Sequence, residues 1–309
     1  MILDGLRVPP FNTTLLGVVR GVADFYGYTY SDATLYGATG HAFLINIHET
    51  LCPSGPYCWR VDRFEVLLRN LGISRTDHGF FGPTASADER RDIERTLTGL
   101  LDQGMPCGLL NLENQLITGC DDTGLLTTQP WAQVDFPPGH LTWGTWEELG
   151  ESFHMNLYSF ERVRPAATEV AVRESLVCAI DMLARPGLYT DEPYGVGLRA
   201  YDKWIGAVES GHGAEHGNWW NATVWAECRA RASDYFREIG LARVELAEST
   251  THLADAYQEI ANNLGRASNK ELGDADKIDL LKATAATEQA CLAGLEELLS
   301  RLPVEPSSS

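Results

Sequence analysis

Basic residues are scarce in this chain: 24 Lys and Arg stand against 43 Asp and Glu, giving a formal charge of −19. Such a surface repels phosphate backbones and anionic headgroups, and no dense Lys/Arg run offers a local exception. Nucleic acid and membrane surfaces are therefore not expected partners. Long apolar runs are also missing, since none approaches the roughly 18 residues that cross a bilayer. The first ten residues have neither a basic stretch nor an apolar one, so no secretory signal is expected. The seven cysteines are odd in number and scattered, which without a signal predicts reduced thiols and a cytoplasmic location. A glycine-rich phosphate loop and an internal repeat are absent as well. No cofactor is implied.

What is present is ordinary globular material, with 44% hydrophobic and 22% charged residues. Its 309 residues exceed one typical core and predict two domains. In the first half the period changes repeatedly. Helices are expected at 15–26, 61–70 and 87–103, the last started by Ser86. A strand is expected at 41–48, a meander at 107–112, 115–120 and 125–128, and a final strand at 154–163. Asp122-Thr-Gly124 reads as a turn between two of these strands. Helices followed by an antiparallel meander imply an α+β domain over residues 1–165. Beyond Pro165 the strand signal stops. Helices are expected at 167–184, 197–208, 218–239, 243–264 and 276–299, forming an all-α bundle over 166–302. Residues 303–309 read as a frayed tail.

Three segments carry chemistry-bearing residues. In the first, His41 and His48 lie on the expected strand, seven residues apart and so on opposite faces. His48 with Cys52 and Cys58 is a zinc arrangement short of a fourth ligand, which the cysteine spacing does not favour over buried thiols in a rigid Pro/Gly turn. In the second, Glu113, Asn114, Asp121 and Asp122 sit at strand ends, where carboxylates do acid–base work or hold a cation; Asp side chains that satisfy a turn backbone are the plainer account. In the third, His212 and His216 stand four apart around Glu215. They would share a helix face, but Gly211, Gly213 and Gly217 point instead to an ordered loop, with Asn218 capping the next helix.

A capped helix running to Phe25-Tyr-Gly-Tyr28, followed by Leu35-Tyr-Gly37, resembles the start of the butirosin-biosynthesis protein H N-terminal domain. That domain is similar to the papain-like bacteriocin-leader peptidases. Gln103-Gly-Met-Pro106 and Leu116-Ile-Thr-Gly-Cys-Asp-Asp-Thr-Gly124 resemble the strand pair that carries their histidine, so the likeness covers about residues 10 to 135. It implies a papain-like fold in which a cysteine opens the first helix, a histidine on a strand serves as base, and an Asp or Asn orients that histidine. The cysteine position falls among Asn12, Thr13 and Thr14, with Thr14 preferred. The histidine position is Glu113, and the orienting position is Gln129.

All three are polar and none is the expected residue. The preferred expectation is therefore a degenerate scaffold that binds a small molecule or peptide in a biosynthetic or regulatory role. Thr13, Thr14, Glu113, Asn114, Asp121, Gln129, His212 and His216 are the candidate cleft residues. The resemblance also implies acyl transfer onto an amine from a carrier-protein thioester. The second expectation is accordingly a transferase with relocated chemistry, pairing His41 or His48 with Cys52 or Cys120. A zinc-stabilised interaction module is the third. A carrier protein and a second copy of the chain are further partner options.

Overall fold

The computed structural model describes residues 1–131 and 133–303, and the expected tail lies outside the described residues from 304 on. The chain is α+β and divides into two compact units, Met1–Tyr30 with Gly72–Pro165, and Ser31–Leu71 with the chain from Ala166 onward. Among the described residues no helix is long and apolar enough to cross a membrane.

Among the described residues the first unit is built on six antiparallel strands: β2 (Ile73–Phe81), β3 (Cys107–Asn111), β4 (Glu113–Cys120), β5 (Gly124–Thr127), β6 (His140–Thr142) and β7 (Met155–Arg162). Their order across the sheet is β2-β7-β3-β4-β5-β6. The meander and the last strand lie where their alternation predicts. β2 and β6 were not legible: β2 carries Ser-Arg-Thr-Asp-His in its middle, a polar run with no apolar alternation. Among the described residues this unit carries the α-helices α1 (Thr14–Phe25) and α4 (Ala87–Asp102). A capping box between Ser86 and Glu89 starts α4. α1 approaches β4 closely because Gly21 has no side chain; a Cβ there would stand 2.8 Å from the Leu116 methyl and 2.1 Å from the Arg7 carbonyl oxygen.

The second unit is mainly helical: α2 (Asp32–Ala38), α3 (Asp62–Asn70), α5 (Thr168–Ala184), α6 (Leu198–Ala207), α7 (His216–Ala242), α8 (Ala247–Ala267) and α9 (Asp274–Arg301). A short antiparallel ribbon joins β1 (Asn46–His48) to β8 (Tyr194–Val196), with His48 opposite Tyr194. Residues 31–71 thus fold with the bundle rather than with the first-half sheet. The reason is their apolar content. Phe43, Leu44, Ile45 and Ile47 are all buried, and the Phe43 ring meets Phe236 at 5.7 Å and Tyr257 at 5.6 Å. The expected strand at 41–48 is correspondingly short. His41–Phe43 form a 3₁₀ turn and only Asn46–His48 are extended, so the opposite-face argument for the two histidines does not apply. A run buried on every side carries no period from which a strand could be told apart.

Gly217 also departs from expectation. It lies inside α7 rather than in a loop, because a Cβ at that position would fall 1.8 Å from the Leu51 carbonyl oxygen. Close backbone approach, not chain flexibility, explains this glycine.

Candidate functional site

Thr14 is the first residue of α1 and Glu113 the first of β4. Ninety-nine residues apart in sequence, they meet: Thr14 Oγ1 donates to Glu113 Oε2 at 2.8 Å. The same hydroxyl accepts from the Asn114 backbone N–H at 3.1 Å. Asn114 Oδ1 lies 2.9 Å from the Tyr158 hydroxyl, which also points at the Leu109 carbonyl oxygen at 3.1 Å. Burial pushes the Tyr158 phenol well up, so it remains a donor across the accessible pH range. The Arg75 guanidinium stacks 4.4 Å above its ring. Thr13, Thr14, Glu113 and Asn114 are all buried, with Thr14 1% exposed and Glu113 7%.

The electrostatics follow from position. The N-terminal end of a helix carries unsatisfied N–H groups and a partial positive charge, which favours an anion beside it. Glu113 brings a carboxylate to that end of α1. A nucleophilic thiol placed there would be stabilised as thiolate by the same field; a threonine hydroxyl is not ionised by it. The arrangement therefore orders the helix end and the strand start. Glu113→Ala leaves the Thr14 hydroxyl short of its acceptor, and removing a charged hydrogen-bond partner from a buried site costs on the order of 1–3 kcal/mol. Urea unfolding of the variant is expected to show that loss, with Glu113→Gln retaining part of it.

Leu112 sits between β3 and β4 with φ at 61° and a side chain 67% exposed. Leucine rarely adopts the left-handed region, and the single-residue link between two paired strands forces it there. Gln115 anchors the following segment by donating to the Thr128 carbonyl at 2.5 Å and the Pro138 carbonyl at 2.8 Å.

The remaining candidates do not join this cluster. Gln129 donates its amide to the Pro137 carbonyl at 2.8 Å. Asp121 closes the turn, accepting from Thr123 N at 2.7 Å and Gly124 N at 3.1 Å. It stands past the far end of β4, eight residues and up to about 26 Å from Glu113 at strand rise. His212 and His216 belong to the other unit. His212 Nδ1 lies 3.1 Å from Glu215, whereas the His216 ring lies against Trp219 at 5.2 Å. Asn218 does not cap α7: it is buried within its first turn, accepting from Trp204 Nε1 at 2.8 Å and donating to the Ala267 carbonyl at 3.0 Å.

The relocated pairs are also not formed as expected. The sulfur beside His41 is that of Cys228, 3.6 Å from Nδ1. His41 is enclosed by Trp59, Phe64, Trp225 and Tyr36, and burial takes its pKa down to about 3. His48 Nδ1 pairs instead with Thr50 Oγ1 at 2.9 Å. Cys120 ends β4 in the first unit. Among the described residues, His48, Cys52 and Cys58 do not form a metal-holding group, nor does any other set of three or more His, Cys, Asp or Glu.

Sequence reasoning did not single out Tyr158, Arg75, Cys228 or the buried Arg229 and Glu288. Tyr158 reaches Asn114 only through its hydroxyl, and Arg75 meets the Tyr158 ring, so both contacts depend on strand pairing and no local motif marks them. No protein-family model and no curated protein matches the chain.

Proposed function

We propose that the unit of residues 1–30 and 72–165 is a papain-like scaffold in which a Thr14–Glu113 pair stands where relatives place thiol and imidazole, and that it binds a small molecule or peptide without thiol chemistry. The observation that carries this reading is the 2.8 Å contact between the first residue of α1 and the first residue of β4. That a helix start and a strand start separated by most of a domain meet within hydrogen-bond distance supports this reading, since a nucleophile and its base require such contact. The pair is polar but unsuited to acyl transfer. A threonine hydroxyl is a poor nucleophile unless a base removes its proton, and a carboxylate is a weaker base than the imidazole whose place it takes. Gln129, turned to Pro137, does not complete a triad.

The test uses acyl thioesters and a thiol-directed probe on the full chain. The wild type is expected to show neither turnover nor rapid stoichiometric labelling. Thr14→Cys combined with Glu113→His is expected to label at position 14 at least about tenfold faster than Thr14→Cys alone, because an imidazole favours the thiolate and a carboxylate opposes it. Thioester turnover through a cysteine of the wild type would overturn the reading. So would a folded double variant, checked by circular dichroism, in which the imidazole brings no acceleration.

A further inference from the structure

We infer that Thr123, His140 and Glu148 form a hydroxyl–imidazole–carboxylate relay that takes an acyl group from aryl esters, at a site separate from the Thr14–Glu113 pair. Glu148 Oε1 lies 3.0 Å from His140 Nδ1, and His140 Nε2 lies 3.0 Å from Thr123 Oγ1. Nucleophile, base and orienting group are thus joined in the order that acyl transfer requires. Thr123 stands in the turn before β5, His140 begins β6, and Glu148 lies in the 3₁₀ turn Glu147–Leu149. His140 pairs across the sheet with Leu126, and its ring reaches back over Gly124. A Cβ at Gly124 would stand 2.6 Å from His140 Nε2, so the missing side chain lets the imidazole reach the hydroxyl.

Each proton has a defined place. Thr142 donates to Glu148 from its hydroxyl at 2.5 Å and from its backbone N–H at 2.9 Å. Burial opposes the Glu148 charge, but these Thr142 bonds outweigh it and take its pKa down to about 2. An ionised carboxylate only accepts, so Nδ1 carries the hydrogen and the Nε2 lone pair of the neutral ring faces Thr123. The hydroxyl has a second acceptor in Asp121 Oδ1 at 2.6 Å. Of the two acceptors the ring is the stronger base, so it is the one that removes the proton. Thr123 is exposed, which leaves its oxygen open to an incoming carbonyl. Trp143 flanks it, donating its backbone N–H to the Thr123 carbonyl and its indole N–H to the Asp121 carbonyl, both at 3.0 Å. Trp143 also walls a groove of about 570 Å³ beside α4. That volume suits a small molecule, and an indole wall suits a flat aromatic group, which is why the ester is an aryl one.

The step runs as follows in atoms. Thr123 Oγ1 bonds to the ester carbonyl carbon as His140 Nε2 takes the hydroxyl proton. The bond from that carbon to the aryl oxygen then breaks, and the aryloxide departs with the proton. Water, losing a proton to the same imidazole, cleaves the acyl-threonine and releases a carboxylic acid. Alkyl thioesters offer neither the flat group nor a weakly basic aryloxide, so they are not substrates here.

Incubating the full chain with para-nitrophenyl acetate tests this, with acetylated peptides located by mass spectrometry after an acid quench. An acetyl group on Thr123 and saturable release of nitrophenolate are expected, both unchanged after N-ethylmaleimide caps the accessible thiols. Thr123→Val is expected to remove both, whereas Thr123→Ser keeps them. His140→Gln is expected to lower kcat at least about hundredfold, the usual share of a general base. Glu148 acts through the ring as a positioning residue. Glu148→Gln is expected to lower kcat at least about tenfold at unchanged KM, since the ring tautomer is no longer fixed. Three results each overturn the inference: no acetyl group at position 123, turnover retained in Thr123→Val, or a wild-type rate in His140→Gln, with folding checked by circular dichroism. Loss of turnover on thiol capping also overturns it, and is the one outcome that counts against the thiol-free reading of the Thr14–Glu113 pair as well.

Discussion

Replacing Glu288 with Leu is expected to destabilise the helical unit by about 3–5 kcal/mol, the cost of leaving a buried charge without its partner. Arg229 on α7 and Glu288 on α9 are 0% and 1% exposed at the side chain, and their closest atoms are 2.5 Å apart. The guanidinium also donates to the Ala42 carbonyl at 2.9 Å and the Leu44 carbonyl at 2.7 Å. Tyr201 on α6 donates to the other carboxylate oxygen at 2.5 Å. One ion pair thus joins two long helices, a third helix and the 41–45 segment. Burial opposes the charge on Arg229, but the adjacent Glu288 carboxylate more than offsets it and holds the guanidinium protonated. Once Glu288 is gone, that buried charge has lost the carboxylate paired with it. The double variant Arg229→Met with Glu288→Leu is expected to recover a large part of the loss, because both charges leave together. It does not recover all of it, since the Ala42 and Leu44 carbonyls lose their donor. Urea midpoints of the three proteins measure this; a double variant no more stable than Glu288→Leu would show that the carbonyl contacts, not the charge balance, dominate.

Acid is expected to weaken the same unit through His41. Its ring is fully enclosed, and burial lowers its pKa from 6.5 to about 3, with the Arg229 charge acting in the same direction. The unfolded chain takes up a proton near pH 6.5 that the folded chain refuses until about pH 3. Stability from this group is therefore complete above pH 6.5 and is lost progressively as pH falls through that window. Linkage gives a loss of about 2 kcal/mol by pH 5 and several kcal/mol by pH 3. Other carboxylates add to acid sensitivity, so the diagnostic quantity is a difference. His41→Phe removes one proton from the pH slope of stability between pH 6 and 4. If the slopes of wild type and variant coincide over that interval, His41 is protonated in the folded protein and the enclosure argument is wrong. The Cys228 thiol at Nδ1 has a structural role on this account, as partner to a neutral imidazole.

The sequence by itself determined the α+β class, every major helix of the second half, the capping of α4 and the course of the meander. Those features depend on local signals: apolar spacing, Ser and Gly at helix ends, and turn residues between alternating runs. The likeness to papain-like domains also selected Thr14 and Glu113, whose side chains touch. Partnership was decided only by the tertiary structure. Nothing local in Phe43 to Ile47 states that this run is buried among helices rather than in the sheet. Nothing in Arg229 or Glu288, isolated charges fifty-nine positions apart, states that each is buried against the other. Gln129 and Asp121 were chosen by their places in a motif, yet the Gln129 amide bonds to the Pro137 carbonyl and Asp121 closes a turn beyond the far end of β4. Periodicity records which face of an element is apolar; which charge meets which, and at what depth, is settled when the elements close on one another.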